Sequence, residues 1–239
     1  LFPFEEDFYR EHGVPVSCVG HPLADQISLD DQREQARTEL DIEGDQPMVA
    51  LLPGSRGGEV SQLIATFLES AQWLRRALPN IEFMVAAANE DRRRQILDAI
   101  ANQTADLPVR VVLGQSRTVM AASDAVLMAS GTTSLEALLL KRPMVVCYRF
   151  GKLSFALLSR LVKTPFFSLP NLLAKRSLVP ELLQEEVAAE VIGPLILEQL
   201  SNSNERAALI AEFRRIHVNL ARNASEQAAE VVLQVAGKP

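Results

Sequence analysis

The chain contains 239 residues, of which 48% are hydrophobic and 23% are charged. This composition is typical of a packed globular protein and excludes a disordered chain or a disulfide-rich scaffold. The formal net charge of -6 argues against broad electrostatic binding to nucleic acid, which depends on a basic surface. The two cysteines, Cys18 and Cys147, lie far apart in apolar surroundings, which favours two buried thiols over a disulfide.

The amino-terminal residues do not have the pattern of a targeting segment, since Glu5, Glu6 and Asp7 stand where a signal peptide would be basic and then apolar. No apolar run approaches the roughly 20 residues that span a bilayer. We therefore expect a cytoplasmic protein, either soluble or attached to the membrane surface. The chain begins at Leu1 without a methionine, so we expect that it is cut from a longer one.

Residues 1–47 are predicted to connect this domain to a preceding one and to begin the domain itself. Phe8 and Tyr9 are expected to anchor a short helix near the start. Residues 14–19 are predicted to form a short strand, and residues 31–40 a polar helix. A turn containing glycine and proline closes this segment and separates it from the regular pattern that follows.

From residue 48 onward, short apolar runs alternate with helical periodicity. The predicted strands are residues 48–52, 81–88, 109–113, 124–129 and 144–148, and the predicted helices are residues 59–78, 91–101, 117–122 and 134–140. This alternation is typical of βαβ units, so we predict an α/β fold with a Rossmann-like parallel sheet and helices on both faces. Such sheets bind ligands at the carboxyl ends of their strands.

Beyond residue 149 the pattern becomes helical. We predict helices at residues 153–162, 179–185 and 188–200, and one long or broken helix at residues 205–235. The sequence therefore predicts a ligand-binding domain at residues 48–203, followed by a carboxyl-terminal helical tail at residues 204–239.

Two glycine-containing turns follow predicted strands, and the first contains Gly54, Ser55 and Arg56. A helix start offers unpaired N–H groups to an anion, and glycine lets a phosphate approach closely. The Arg56 guanidinium could grip phosphate oxygens with two hydrogen bonds. The turn is neither a Walker A loop nor a Gly-x-Gly-x-x-Gly fingerprint, so by itself it does not distinguish a phosphate site from a structural turn.

The second turn concentrates small and hydroxyl-bearing residues at one helix start: Ser130, Gly131, Thr132 and Thr133. Glu136 lies one turn into that helix, where it could accept hydrogen bonds from a ribose whose diphosphate binds at the helix start. The alternative makes Ser134 a helix cap and Glu136 a first-turn acid favoured by the helix dipole. Gly114 and Gln115, after the third strand, could border a base or form a plain turn.

The segment at residues 149–167 interleaves aromatic and leucine side chains with basic ones, among them Phe155, Leu158, Arg160 and Lys163. Such a helix could lie at the interface of an anionic membrane. Packing against another part of the protein explains the pattern equally well. The three histidines show no metal spacing, so we predict neither a metal nor another cofactor.

Several stretches together resemble the lipid-A-disaccharide synthase family of glycosyltransferases. They are residues 20–25 (GHPLAD), 50–60 (ALLPGSRGGEV), 122–125 (ASDA), 129–136 (ASGTTSLE), 143–146 (PMVV), 161–164 (LVKT), 168–174 (SLPNLLA) and 182–186 (LLQEE). The resemblance implies a GT-B fold, in which two Rossmann-like domains face a cleft, and this chain corresponds to the second, donor-binding domain. It also implies that Arg56 and Asn171 are essential, that Asn171 takes part in donor binding, and that Glu136 binds ribose.

The family's reaction transfers 2,3-diacylglucosamine from UDP-2,3-diacylglucosamine to 2,3-diacylglucosamine 1-phosphate, giving a β-1,6 disaccharide and UDP. The resemblance places the catalytic acid/base and much of the acceptor site in an amino-terminal half that is absent here, so we expect this chain alone to be inactive. It implies a cytoplasmic enzyme peripheral to the inner membrane. The long carboxyl-terminal helix could either cross back onto the missing domain or pack in a homodimer. The rival hypotheses are another GT-B enzyme, either an N-acetylglucosaminyltransferase or a UDP-sugar epimerase, and a non-catalytic nucleotide-binding module.

Overall fold

The computed structural model describes residues 2–102, 107–149 and 165–237, which surround one parallel β-sheet. Its strands are β1 (Met48–Leu52), β2 (Glu82–Ala87), β3 (Val109–Leu113), β4 (Ala125–Ala129), β5 (Met144–Tyr148) and β6 (Glu181–Leu183). They lie in the order β3-β2-β1-β4-β5-β6, and every neighbouring pair is parallel. This order confirms the predicted α/β fold with a Rossmann-like sheet.

Helices precede, connect and follow the strands. In chain order they are α1 (Pro3–Glu11), α2 (Pro22–Gln26), α3 (Arg33–Glu39), α4 (Gly57–Ala77), α5 (Glu90–Ala101), α6 (Ser116–Ala122), α7 (Thr133–Leu139), α8 (Leu169–Ala174), α9 (Ala189–Ser201), α10 (Ser203–Leu220) and α11 (Ala224–Ala236). Within the described part of the chain, no helix is long and apolar enough to cross a membrane.

The sheet buries side chains on both faces because its central strands are apolar throughout. In β1 all residues are buried, and successive side chains point to opposite faces. Val49 and Leu51 belong to the core covered by α4, α5 and α9, which contains Phe67. Ala50 belongs to the opposite core, covered by α3, α6, α7 and α10, which contains Phe213. Full burial of a side chain such as Phe67 contributes about 1.5–3 kcal/mol to stability.

Two predictions of secondary structure are wrong. Residues 14–19 form no strand, and residues 179–185 form the edge strand β6 and the start of a 3-10 turn instead of a helix. Helix α8 was not predicted. The helix at residues 205–235 is broken, because Asn223 adopts a left-handed conformation with φ 57° between α10 and α11. The predicted helix at residues 153–162 lies outside the described residues.

Two smaller expectations concern particular side chains. Helix α1 is confirmed, but Phe8 and Tyr9 are 57% and 43% exposed, so they do not anchor it to the described core. Cys147 is buried, as expected, whereas Cys18 is half-buried, and the two are not joined by a disulfide. Burial raises the pKa of the Cys147 thiol, which keeps it protonated at neutral pH.

The connecting segment packs against the far end of α7 and against the carboxyl-terminal helices. The Asp25 carboxylate accepts hydrogen bonds from the backbone N–H groups of Asn223 (2.9 Å) and Ala224 (2.7 Å), at the start of α11. Just beyond α7, buried Lys141 donates from Nζ to the carbonyl of Ser28 at 2.6 Å. These contacts attach the beginning of the described chain to its end, and the predicted boundaries at residues 47 and 203 stay predictions.

Candidate functional site

A cleft of about 550 Å³ opens at the carboxyl edge of the sheet, between β1 and β4. The strand order reverses there, and the chain leaves β1 and β4 for helices on opposite faces, which opens a crevice between the two turns. The cleft is lined by the turns after β1 and β4, by the ends of β2 and β3, and by the start of α6: Leu52, Gly54, Ser55, Arg56, Glu59, Ala86, Ala87, Ala88, Gly114, Ser116, Ala129, Ser130, Gly131, Thr132 and Thr133.

The first turn is folded around the side chain of Glu59, the third residue of α4. Its Oε2 atom accepts the backbone N–H groups of Ser55 at 3.1 Å and Arg56 at 3.2 Å. Gly54 has a φ of +117°, and a Cβ atom placed on it would lie 2.6 Å from the Cβ atom of Glu59. Glycine is therefore required at this position both by the backbone conformation and by the packed glutamate.

Arg56 lies at the mouth of the cleft, at the residue that precedes α4. Its Nη1 atom donates to Oε1 of Glu59 at 2.8 Å, while 82% of its side chain is exposed. Burial alone would raise the pKa of the Glu59 carboxyl, but hydrogen bonds from the Arg56 guanidinium and from two backbone amides outweigh it, so the pKa lies below its ordinary value. Glu59 is thus a carboxylate at neutral pH.

Helix α5 supports the first turn of α4 from outside. Gln95 donates from Nε2 to the carbonyl of Gly57 at 3.0 Å. The Arg92 guanidinium lies over the same residue, since a Cβ atom on Gly57 would be 2.5 Å from Nη1 of Arg92. The backbone that carries Arg56 is therefore held on both sides, by Glu59 from within and by α5 from without.

The second turn is open where the first is filled. Gly131 is exposed, and a Cβ atom placed on it would meet no atom within 4 Å among the described residues. The buried Ser134 hydroxyl donates to the carbonyl of Gly131 at 2.8 Å, so it closes the turn without capping the N–H groups of α7. The first N–H groups of a helix have no acceptor within it. At the start of α7 these N–H groups belong to Thr132 and Thr133, which both line the cleft.

The ribose candidate lies beside the cleft. Glu136 is not among the lining residues, and its carboxylate pairs with Nη2 of Arg117 at 3.2 Å. Its side chain is 20% exposed. Gly114 lines the cleft, with φ 65°, whereas Gln115 is exposed at the start of α6. The structure therefore brings Gly114 to the site and leaves Gln115 and Glu136 at its border.

Asn171 lies in α8, away from the cleft lining, and is almost fully buried. Its Oδ1 accepts the N–H groups of Leu178 (2.7 Å) and Val179 (2.8 Å), and its Nδ2 donates to the carbonyl of Val179 (3.0 Å). These bonds fix the chain before β6. They explain why asparagine is needed at this position even if it contacts no ligand. Its assignment to donor binding stays a prediction.

The residues predicted to contact a membrane, Phe155, Leu158, Arg160 and Lys163, lie outside the described residues. Of the flanks, Arg149 is turned into the domain, where Nη1 donates to the carbonyl of Gln62 at 3.0 Å. Arg149 therefore contributes to packing and does not belong to an exposed basic face, which at this one position agrees with the packing alternative.

The histidines are dispersed in the fold. His217 is buried, with Nε2 at 2.8 Å from the carbonyl of Ala24, His21 accepts the N–H of Leu23 at the start of α2, and His12 is exposed. Within residues 2–102, 107–149 and 165–237, no three His, Cys, Asp or Glu side chains cluster as a metal site requires.

Sequence reasoning missed Glu59 and the alanines that end β2. A signal for Glu59 was present, since a glutamate three residues after the residue that precedes a helix is typical of a capping box. The alanines at positions 86–88 give no such signal, because small residues at a strand end have many uses. Their small side chains leave the cleft open on the β2 side.

A parallel sheet in this order, with a cleft at its switch point, defines a Rossmann-type α/β domain. Solved structures with this fold include UDP-GlcNAc 2-epimerase from Neisseria meningitidis (TM-score 0.65, 15% identity, 96% of this chain and 59% of that one). Another is WaaG, a glycosyltransferase involved in lipopolysaccharide biosynthesis (TM-score 0.57, 16% identity, 95% and 60%). At this identity the likeness shows the fold alone, that of the GT-B glycosyltransferases.

The chain belongs to the lipid-A-disaccharide synthetase family, whose model matches residues 1–232. It is 51% identical to the lipid-A-disaccharide synthase of Pseudomonas fluorescens, over 100% of this chain and 62% of the relative. It is 48% identical to that of Alcanivorax borkumensis, over 98% of this chain and 61% of the relative. The chain therefore spans about three-fifths of the length of these curated relatives.

Proposed function

We propose that this chain binds the UDP portion of UDP-2,3-diacylglucosamine, as the donor-binding part of a lipid-A-disaccharide synthase. The observation that carries the proposal is membership of that family together with an open cleft at the switch point of the sheet. The UDP-GlcNAc 2-epimerase, which represents one rival type, is 15% identical and has only the fold in common with this chain, whereas the synthases share about half of its residues.

The diphosphate is best placed at the second turn. Gly131 leaves space for it, and the N–H groups and hydroxyls of Thr132 and Thr133 provide donors at one helix start. Ser130 and Gly114 border the same space. The ribose would extend toward Glu136, whose carboxylate would then share its hydrogen bonds between the sugar hydroxyls and Arg117.

Arg56 is the candidate for stabilising charge during the transfer. The 6-hydroxyl oxygen of 2,3-diacylglucosamine 1-phosphate attacks C1 of the donor sugar, the bond from C1 to the UDP oxygen breaks, and UDP leaves with the electron pair. An exposed guanidinium at the mouth of the cleft can reach the departing phosphate and lower the barrier. The base that takes the hydroxyl proton is assigned to a part of the synthase outside this chain.

The proposal is tested by calorimetric titration of the folded chain with UDP. We expect binding, weakened about tenfold by Arg56→Ala because a charge-assisted hydrogen bond to phosphate is lost. Glu136→Ala is expected to weaken it less, since a ribose contact is one hydrogen bond among several. The matched control is Arg215→Ala, which removes an exposed arginine paired at 2.8 Å with a glutamate three residues away, on α10.

Absence of UDP binding by the folded wild-type chain would contradict the donor-site assignment. Turnover of both lipid substrates by this chain alone would contradict the assignment of the base elsewhere. UDP binding without any turnover, even when the rest of the synthase is supplied, would favour the rival hypothesis of a non-catalytic nucleotide-binding module. The predicted attachment to the membrane surface and the homodimer stay predictions.

A further inference from the structure

Glu59 is an acidic residue inside a cleft for which the proposed ligand is an anion. Its carboxylate accepts three hydrogen bonds from the first turn, two from the backbone N–H groups of Ser55 and Arg56 and one from the Arg56 guanidinium. Those two N–H groups, at the start of α4, are among the donors that a phosphate would need on this side of the cleft. They are already satisfied from within the protein.

The charge on Glu59 also acts against an anion at the first turn. The guanidinium and amide contacts hold its pKa below the ordinary value, so the negative charge is present at neutral pH. It lies at the amino terminus of α4, where the helix dipole favours a negative group. A phosphate at the same place would have to displace a carboxylate of like charge.

The fold makes specific room for this carboxylate. A Cβ atom on Gly54 would lie 2.6 Å from Cβ and 2.6 Å from Oε2 of Glu59, so the turn can close only over a glycine. At the second turn none of the described residues places an acid at the corresponding position, and none lies within 4 Å of a Cβ atom built on Gly131. The two sides of the cleft therefore differ in charge as well as in shape.

The side chain of Arg56 is held less firmly than the backbone that carries it. One guanidinium nitrogen contacts Glu59 at 2.8 Å, and about four-fifths of the side chain is exposed. An exposed ion pair of this kind contributes little to stability. The guanidinium can therefore turn from Glu59 to a diphosphate in the cleft without any movement of the backbone that carries it.

We infer that Glu59 is a positioning residue with two effects, and the inference rests on the proposed function. It excludes phosphate from the first turn, which directs the diphosphate to the turn at Gly131. It also holds the Arg56 guanidinium at the mouth of the cleft until the diphosphate competes for it. Glu59 therefore lowers the affinity for UDP while it fixes where the phosphates bind.

Glu59→Gln tests this inference by UDP titration. The glutamine oxygen still accepts the two backbone N–H groups, but the neutral amide neither repels phosphate nor pairs with Arg56. We expect the Kd for UDP to fall about threefold to tenfold, and the gain to shrink as salt is raised. If Glu59 served only to stabilise the first turn, this substitution would leave the affinity for UDP unchanged or weaken it. The matched control, Glu212→Gln, removes an equivalent pair with Arg215 on α10 and should leave the Kd unchanged.

A second measurement uses the wild-type chain, in case the variant does not fold. On addition of UDP, the NMR signals of the Arg56 guanidinium and of the Gly131 and Thr132 amides should shift, while the Ser55 amide should not. A shifted Ser55 amide with an unchanged guanidinium would overturn the inference, as would an unchanged or higher Kd in folded Glu59→Gln. No UDP binding by folded wild-type protein would overturn the proposed function and the inference together.

Discussion

The two turns that border the cleft have the same outline in the sequence and opposite roles in the structure. Each joins a buried strand to a helix through glycine, and each helix carries a glutamate in its first turn. Glu59 is the third residue of α4 and folds back onto its own turn, whereas Glu136 is the fourth residue of α7 and pairs with Arg117 on α6. One residue corresponds to about 100° around a helix. Because of that difference in position, the Glu59 side chain fills the first turn, whereas the Glu136 side chain pairs with Arg117 and leaves the second turn open.

The largest expected effect is that of Gly54→Ala on stability. The new methyl group would require a left-handed backbone and would overlap the Cβ atom of Glu59, which cannot move aside as a flexible side-chain end could. We expect a loss of about 3 kcal/mol in the free energy of unfolding, measured by denaturant titration. Gly58→Ala, where an added Cβ atom meets nothing within 4 Å among the described residues, is the control. Equal midpoints for both variants would contradict the filled turn.

Helix α7 begins at the open turn, and just beyond its far end Lys141 is buried. Burial, followed by the charges of Arg214 and Arg142, lowers the pKa of Lys141 to about 8 against the opposing effect of Asp31 and Asp30. His217 on α10 also faces this amine. In the unfolded chain the pKa returns to 10.5, so the unfolded state binds more protons between pH 8 and 10.5. Stability contributed at this site therefore rises with pH across that window.

Lys141→Met makes that pH dependence measurable, because methionine keeps the length of the side chain and cannot titrate. The free energy of unfolding of the wild type, relative to the variant, should rise by about 2 kcal/mol between pH 7.5 and pH 10. Both proteins are compared at each pH by denaturant titration. A difference that stays constant with pH would show that the pKa of Lys141 is not lowered in the folded chain.

The smallest effect expected is that of Gly131→Ala, and it should appear in binding alone. Its backbone is outside the left-handed region and no described atom lies within 4 Å of an added Cβ, so stability should change by less than about 0.5 kcal/mol. The methyl group would stand in the space proposed for phosphate, so we expect the Kd for UDP to rise about tenfold. Unchanged affinity would place the diphosphate elsewhere.

Much of the fold could be predicted because its central strands are uniformly apolar and bounded by turns. The edge strand could not, since Glu181–Leu183 pairs on one side only and its neighbours have a helical composition. The sequence did not decide between one long helix and a broken one at residues 205–235. The break depends on the left-handed backbone conformation of the single residue Asn223. The alternation of elements implied parallel strands, but the strand order, and with it the position of the switch point, became visible only in the structure.

The position of the glycines and Arg56 at the cleft could be predicted because they follow strands whose carboxyl ends meet. The role of Glu59 was missed despite the capping-box signal, because the helix was predicted to begin at residue 59 and α4 begins at Gly57. Asn171 was assigned to the ligand from resemblance, whereas its buried amide is occupied by the backbone of residues 178 and 179. The partner of Glu136 also lay beyond prediction, because Arg117 is distant in sequence.

The carboxylate of Asp25 that caps α11 has a consequence for how the chain folds. Its two hydrogen bonds join residues 198 and 199 positions apart, so the amino terminus of α11 is completed only when the two ends of the described chain meet. Closing a loop of this length costs more entropy than any local contact, although the cost grows only slowly with length. Helix α11 is therefore expected to dock late, after the sheet has formed, and to be the first element released when the connecting segment is disturbed.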